Sequence, residues 1–297
     1  MDKKTKQIIL PLITAFIWGS AFVAQKSGAD VIGAFTFTWT RYLLAGLALL
    51  AFLSLRTRRC GRTLREAFSG AWVGGMVMGT LLMVASNLQQ YGMNFTTAGK
   101  AGFVTALYIV LVPLLGLFFR KRVRLLGWCG VALAVAGLYF LSFAAGGVPS
   151  FNVGDLYVLG CALVFSFHIL AVDHYTAFSD GVVLACLQFL VAAGESLVPA
   201  LVFEGFSASA ILGCALPILY AGLISGGIGY TLQILAQKDG DPVVVSLLLS
   251  LESLFAAVSG AILLHERLTA RECLGCALML LAVVLVQLPE KNSGCTR

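Results

Sequence analysis

GGIGYTLQILAQKDGDPVVVSLLLSLE, residues 226–252, is the stretch from which the rest of the chain can be read. On a helix, Gly226, Tyr230, Gln233 and Gln237 recur every three or four residues and so form one polar stripe. A short turn over Asp239–Pro242 follows, and the next apolar helix carries Glu252 well inside it, with no basic neighbour in sequence. A charged side chain at the centre of a bilayer costs about 2.5–3.5 kcal/mol on insertion scales. The stretch therefore predicts a pair of membrane helices in which something compensates that carboxylate or uses it.

The surrounding sequence is made for lipid. Of 297 residues, 59% are hydrophobic and 11% charged, with a mean hydropathy of +0.94, whereas soluble domains are about a quarter charged. Charge is confined to breaks between apolar runs, except for Arg41, Glu195 and Glu252. The expected fold is an all-α polytopic membrane protein. Ten spans fit, at about 8–25, 32–55, 69–91, 98–119, 125–143, 154–172, 180–203, 209–235, 242–264 and 271–288. The basic start followed by an apolar run resembles a signal peptide. It contains Trp18, lacks a clear cleavage site, and reads better as the first span.

Fifteen Lys and Arg fall on the side of the N-terminus, against four on the other, or five with Arg41. Positive residues stay inside, so both termini are expected in the cytoplasm; the plasma membrane is the expected location. The net charge of +6 is thereby accounted for by topology, and no basic aromatic surface for nucleic acid is present. The eight Cys lie mostly in or beside apolar runs, as packing residues. Cys273-x-x-Cys276, near His265, Glu266 and Glu272, has ligand-like spacing but no second pair, so neither a metal nor a cofactor is expected.

Internal matches divide the chain into halves, 1–146 and 147–297, of five spans each. Trp18-Gly19 matches Phe165-Ser166 and Arg41 matches Gln188, at an offset of 147. Leu88-Gln89 matches Leu232-Gln233 at 144, and Gly130-x-Ala-Leu matches Gly275-x-Ala-Leu at 145. Gly75-x-x-x-Gly79 and Gly222-x-x-x-Gly226 align at 147 as helix-packing faces, either static or sliding. Because five is odd, the second half starts from the opposite side of the membrane. Such inverted repeats recur in secondary transporters, with the binding site between them.

Certain residues carry a more specific likeness. They are Ala15-Phe-Ile-Trp-Gly-Ser-Ala-Phe-Val, Phe37-Thr-Trp-Thr-Arg41, Gly154-Asp-Leu and His265-Glu-Arg-Leu-Thr. With the repeat, the chain resembles the ten-helix EamA type of the drug/metabolite transporter superfamily along essentially its whole length. Two departures are Lys121 where the second half has Glu266, and Ser253 where the family pattern has Pro. The resemblance implies a secondary transporter, not an enzyme. It further implies export of amino acids, related metabolites or drugs, with spans 1, 3, 4, 6, 8 and 9 lining the path.

Candidate site residues follow from the polar faces. Asn87, Gln90 and Tyr91 share a face of span 3, as Tyr230 and Gln233 share one of span 8. The two faces are expected to converge on a substrate cavity, although interhelical hydrogen bonds alone would satisfy the same groups. Trp18, Tyr108 and Phe165 would wall it, each otherwise a packing residue, and His168 is a weaker candidate. Glu252 is the candidate for proton coupling. Arg41 is a possible partner, unless it snorkels from the outer end of span 2.

Rival classes find less support. An intramembrane enzyme would use Ser250 or Ser253 beside Glu252, but no His is placed with them. A channel or sensor would need a pore or a ligand-receiving domain. Gly92 to Lys100 has the wrong spacing for a P-loop, and His265-Glu266 lacks the second His of a zinc protease. Asn94-Phe-Thr96 is a formal glycosylation sequon in a very short turn. The expected partners are a small-molecule substrate and the bilayer; the oligomeric state is left open.

Overall fold

The computed structural model describes residues 3–96, 98–118, 123–142, 152–205, 207–238, 240–263 and 269–288. Among them every regular element is helical. The first half comprises α1 (Lys3–Ala29), α2 (Ala34–Arg59), the short α3 (Leu64–Phe68), α4 (Trp72–Gly92), α5 (Ala98–Ala106), α6 (Tyr108–Phe118) and α7 (Leu125–Ser142). The second begins with α8 (Val153–Thr176) and α9 (Gly181–Pro199), which runs into a π-helical turn, Ala200–Glu204. Then come α10 (Ala208–Gly213), α11 (Ala215–Leu219), a π-helical segment Tyr220–Tyr230 and α12 (Thr231–Gln237). Last are α13 (Pro242–Leu249), α14 (Glu252–Leu263) and α15 (Ala270–Gln287). The connector 144–151 with the expected division at 146/147, residues 120–122, Asp239 and the His265-Glu266 pair lie outside the described residues.

Seven helical stretches are long and apolar enough to cross a bilayer, and Leu125–Phe140 is a shorter apolar helix. The other two expected spans are α4, carrying Ser86, Asn87, Gln89 and Gln90, and α15. Several helices begin where the sequence supplies a cap. Asp180 accepts from Val182 N (2.9 Å) and Val183 N (3.2 Å) to open α9, and Asp241 accepts from Val243 N with Pro242 in the first turn of α13. Reciprocal capping boxes start α8 (Asn152 and Asp155) and α15 (Thr269 and Glu272).

Exchanging the halves maps the packing onto itself. α2 lies along α9, and α7 along α15. α4 packs on α8 and α9, as the Tyr220–Gln237 stretch packs on α1 and, through its π part, on α2. α5 and α6 pack on α8, as α13 and α14 pack on α1. The α2–α9 pair is fastened at both ends. Arg56 grips Asp180 with two hydrogen bonds (2.8 and 3.2 Å), and Glu204 accepts from Phe35 N (3.0 Å), Thr36 N and Thr36 Oγ1 (both 2.8 Å).

Two features were not foreseen. Spans 4 and 9 are each broken in mid-course, at Leu107 between α5 and α6 and at Ser250–Leu251 between α13 and α14. Leu107 and Leu251 are equivalent at the repeat offset of 144. At the second break, the Ser246 and Ser250 hydroxyls bond back to the Val243 and Leu247 carbonyls (2.9 and 2.8 Å), competing with the regular ladder.

The second feature corrects the glycine alignment. A β-carbon on Gly79 would lie 2.9 Å from the Gln188 carbonyl oxygen, and one on Gly222 2.8 Å from that of Arg41, the repeat equivalent of Gln188. Gly79 therefore corresponds to Gly222, one helical turn away from the expected pairing of Gly75 with Gly222 and Gly79 with Gly226. Gly75 meets Leu187, and Gly226 meets Ala45. From these anchors to Gln89 and Gln233, the second half has one residue more than the first. The wider π-helical turns of Tyr220–Tyr230 take up that residue, as π-bulges do.

Candidate functional site

The two breaks place Tyr108 and Glu252 at the first positions of α6 and α14, facing each other. The Tyr108 hydroxyl donates to Glu252 Oε1 at 3.2 Å. Both are buried (Glu252 is 3% exposed), and they are equivalent residues of the two halves. Glu252 stands in the first turn of α14, whose Ser253 and Phe255 amides are bonded to the Ser250 and Leu251 carbonyls (3.2 and 2.9 Å). Glu252 is thus not in the middle of a helix, as expected, but at the head of one. Gly19 of α1 packs against this turn. A β-carbon on it would sit 2.5 Å from the Glu252 carbonyl oxygen and 2.8 Å from Ala256 N.

Around the pair is a narrow cavity of about 30 Å³. Its aromatic walls are Trp18, Phe22, Tyr42, Phe165 and Tyr230, and its polar lining includes Gln25, Gln89, Thr105, Ser225 and Gln233. The Trp18 and Tyr230 rings lie 4.5 Å apart, and Trp18 Nε1 donates to the Ser225 carbonyl at 3.3 Å. Thr14 Oγ1 donates to the Gly229 carbonyl at 3.1 Å, so Thr14 and Trp18, one turn apart on the same face of α1, both hold the π-helical segment. Gln233 Nε2 donates to Gln237 Oε1 at 3.0 Å, and Gln237 Nε2 to the Ile169 carbonyl.

Trp18, Tyr108, Phe165, Tyr230, Gln233 and Glu252 are accordingly brought together around one cavity. The other expected residues are not. Asn87 donates to Ser196 Oγ (2.9 Å) on α9, and Gln90 donates to the Gln25 carbonyl (2.9 Å) on α1. Tyr91 is 39% exposed, its ring 5.0 Å from Tyr157 on the outer surface. His168 is fully buried behind the cavity, with Nε2 2.9 Å from Gln188 Oε1 and its ring edge-on to Phe165 and Tyr230. These groups serve the interhelical hydrogen bonding and ring packing that the sequence left as an alternative. The face of α4 that meets the cavity carries Gln89, whose Nε2 donates to Thr105 Oγ1 at 3.0 Å. Its match to Gln233 in the repeat was the signal that could have found it.

Arg41 does not snorkel. It is 4% exposed and lines the same cavity as Glu252. Gly75, Gly79, Gly222 and Gly226 lie outside the cavity, at the α4–α9 and α2 contacts described above. Ser250 and Ser253, the nucleophile candidates of an enzyme reading, donate to the Leu247 and Gly102 carbonyls. Among the described residues no three His, Cys, Asp or Glu side chains gather as a metal site.

The sequence pattern of the EamA-like transporter family matches residues 5–143 and again 152–288. An uncharacterized transporter of Archaeoglobus fulgidus is 32% identical over 281 residues, covering 93% of this chain and 84% of its own length. A probable terminal-alkyne amino-acid exporter of Streptantibioticus cattleyicolor is 27% identical over 236 residues, covering 77% of this chain and 75% of its own. A protein of known crystal structure shares the fold with a TM-score of 0.78 at 18% identity, covering 95% of this chain and 96% of that one.

Proposed function

Because this chain belongs to the EamA-like transporter family, we propose that it exports small metabolites, amino acids and their relatives first among them, by alternating access through the cavity between halves 1–146 and 147–297. One observation carries the reading. Two repeat-equivalent helices break in mid-membrane and point Tyr108 and Glu252 at each other inside a buried polar cavity. Broken helices at the interface of inverted repeats are where secondary transporters hold substrates and coupling ions. The name of the Streptantibioticus relative supports amino acids as the substrate class and export as the direction.

In this reading Glu252 is the coupling group. It takes a proton from one side and releases it to the other as α13–α14 rocks against α1, with Tyr108 as its donor in the closed form. Trp18, Phe165 and Tyr230 contact the apolar part of the substrate, and Gln89 and Gln233 its polar part. Both termini lie in the cytoplasm and the carrier acts at the plasma membrane, on the strength of the Lys and Arg distribution.

Uptake of a labelled amino-acid panel into proteoliposomes, with and without an imposed pH gradient, tests this. Wild-type protein is expected to concentrate at least one substrate when the gradient is applied, and folded Glu252→Gln to lose that response. Unchanged gradient-driven uptake by Glu252→Gln removes Glu252 from the mechanism.

A further inference from the structure

Arg41 is a cation inside the membrane with no anion of its own. It is 4% exposed, and among the described residues no carboxylate lies within 4.0 Å of its guanidinium. Its one hydrogen bond, Nη2 to the Tyr42 hydroxyl, is long at 3.5 Å, and its buried Nε has no partner. The Phe37 and Tyr42 rings hold it by cation–π contact, at 5.4 and 4.8 Å from their centroids. Two aromatic faces orient a guanidinium but do not neutralise it.

The cavity that Arg41 lines also contains Glu252, engaged by the Tyr108 hydroxyl. The guanidinium and the carboxyl share the cavity without pairing. A guanidinium that is buried, oriented and short of protein acceptors is a fork prepared for a planar anion, which it binds through two parallel hydrogen bonds.

We propose that Arg41 anchors the carboxylate of the transported molecule and thereby selects carboxylates over amides and amines of the same shape. A zwitterion would then lie with its carboxylate on Arg41, its ammonium towards Glu252 and its side chain against the aromatic wall. The proposal rests on the transporter reading for its site and adds the chemical class that the site accepts.

Four probes of one shape test it on the purified full-length protein, by ligand-induced shift of thermal unfolding. L-phenylalanine and N-acetyl-L-phenylalanine carry the carboxylate; L-phenylalaninamide and phenethylamine lack it. Wild-type protein is expected to bind the first two more tightly. Arg41→Gln should lose about ten- to a hundredfold in affinity for them, the worth of a charge-assisted hydrogen-bonded pair, and leave the other two unchanged. Should Arg41→Gln not fold, Arg41→Lys replaces it, with a smaller loss on the same two probes because the charge stays and the fork is gone. Equal losses on all four probes, no carboxylate preference in the wild type, or no binding of any probe overturns the proposal. Failure of the transport reading is seen separately, as carboxylate-selective binding without gradient-driven uptake.

Discussion

At two positions the halves of this molecule agree in backbone and differ in chemistry. Arg41 of α2 corresponds to Gln188 of α9, and Tyr108 of α6 corresponds to Glu252 of α14. Each pair has one member with a guanidinium or a carboxyl, and the two come from opposite halves. The first half contributes the guanidinium and the second the carboxyl, both to one cavity. The neutral counterparts have structural roles: Gln188 meets His168, and Tyr108 donates to Glu252. The comparison teaches that helix packing is served by size and shape, which a repeat can copy. A charge in the membrane is costly, so a repeat that copies shape has reason not to copy the charge.

Gly19→Leu should break this arrangement most severely. Its side chain would enter the backbone at Glu252 and Ala256, and overpacking of this kind costs about 1–3 kcal/mol. A lowered thermal midpoint together with lost uptake is expected; a wild-type midpoint would mean that α1 and α14 are not in tight contact. Deleting Ile224 tests the π-helical segment next. Removing one residue restores the spacing of the first half, so the fold should survive with Gln233 in the place Gln89 has there. Uptake should fall only as far as the widened π-helical turns themselves shape the cavity. Uptake at the wild-type level would show that the extra residue has no part in shaping the cavity.

Tyr108→Phe keeps the ring and removes the one hydroxyl offered to Glu252. The loss is that of one hydrogen bond, about 0.5–1.5 kcal/mol, read as a fall in gradient-driven uptake at fixed substrate concentration. The smallest effect belongs to Asp180→Asn, which retains the helix cap but cuts the ion pair to Arg56. Partial burial works against the Asp180 charge, but the Arg56 guanidinium and the Val183 and Val182 amides outweigh it and hold the carboxyl below its ordinary range. Its contribution is therefore complete above the unfolded pKa, about 3.9, and disappears as the pH falls through the lower folded value. Both side chains are over a third exposed, so about 0.2–1 kcal/mol is expected at pH 7 and nothing in strong acid. A stability difference between the wild type and Asp180→Asn that persists in strong acid would contradict this account.

Much of the fold was legible before any coordinates. Apolar runs marked the helices, and matches at near-constant offset marked the repeat. Part of the cavity lining was legible too, since Trp18, Tyr108, Phe165, Tyr230, Gln233 and Glu252 do meet there. The departures share a cause. Asn87, Gln90 and Tyr91 were grouped by helical spacing, but α4 is covered on several sides and each polar group found a different neighbouring helix. Arg41 was judged by its distance along the span, which says nothing of what α2 faces. The glycine pairing slipped one turn because Gly-x-x-x-Gly repeats at the period of the helix, so sequence alone cannot tell one turn from the next.

Composition and charge pattern by themselves determined that this is a helical membrane protein, because the bilayer leaves a chain few ways to satisfy its backbone, and internal matches at near-constant offset determined its two repeats. Membership of a transporter family follows from that pattern and its motifs. Only the tertiary structure decided where spans 4 and 9 break, that residues 220–230 widen into a π-helix, and that Arg41 and Glu252 share one cavity. Those features depend on carbonyls, hydroxyls and rings contributed by helices distant in sequence, and no local periodicity records them.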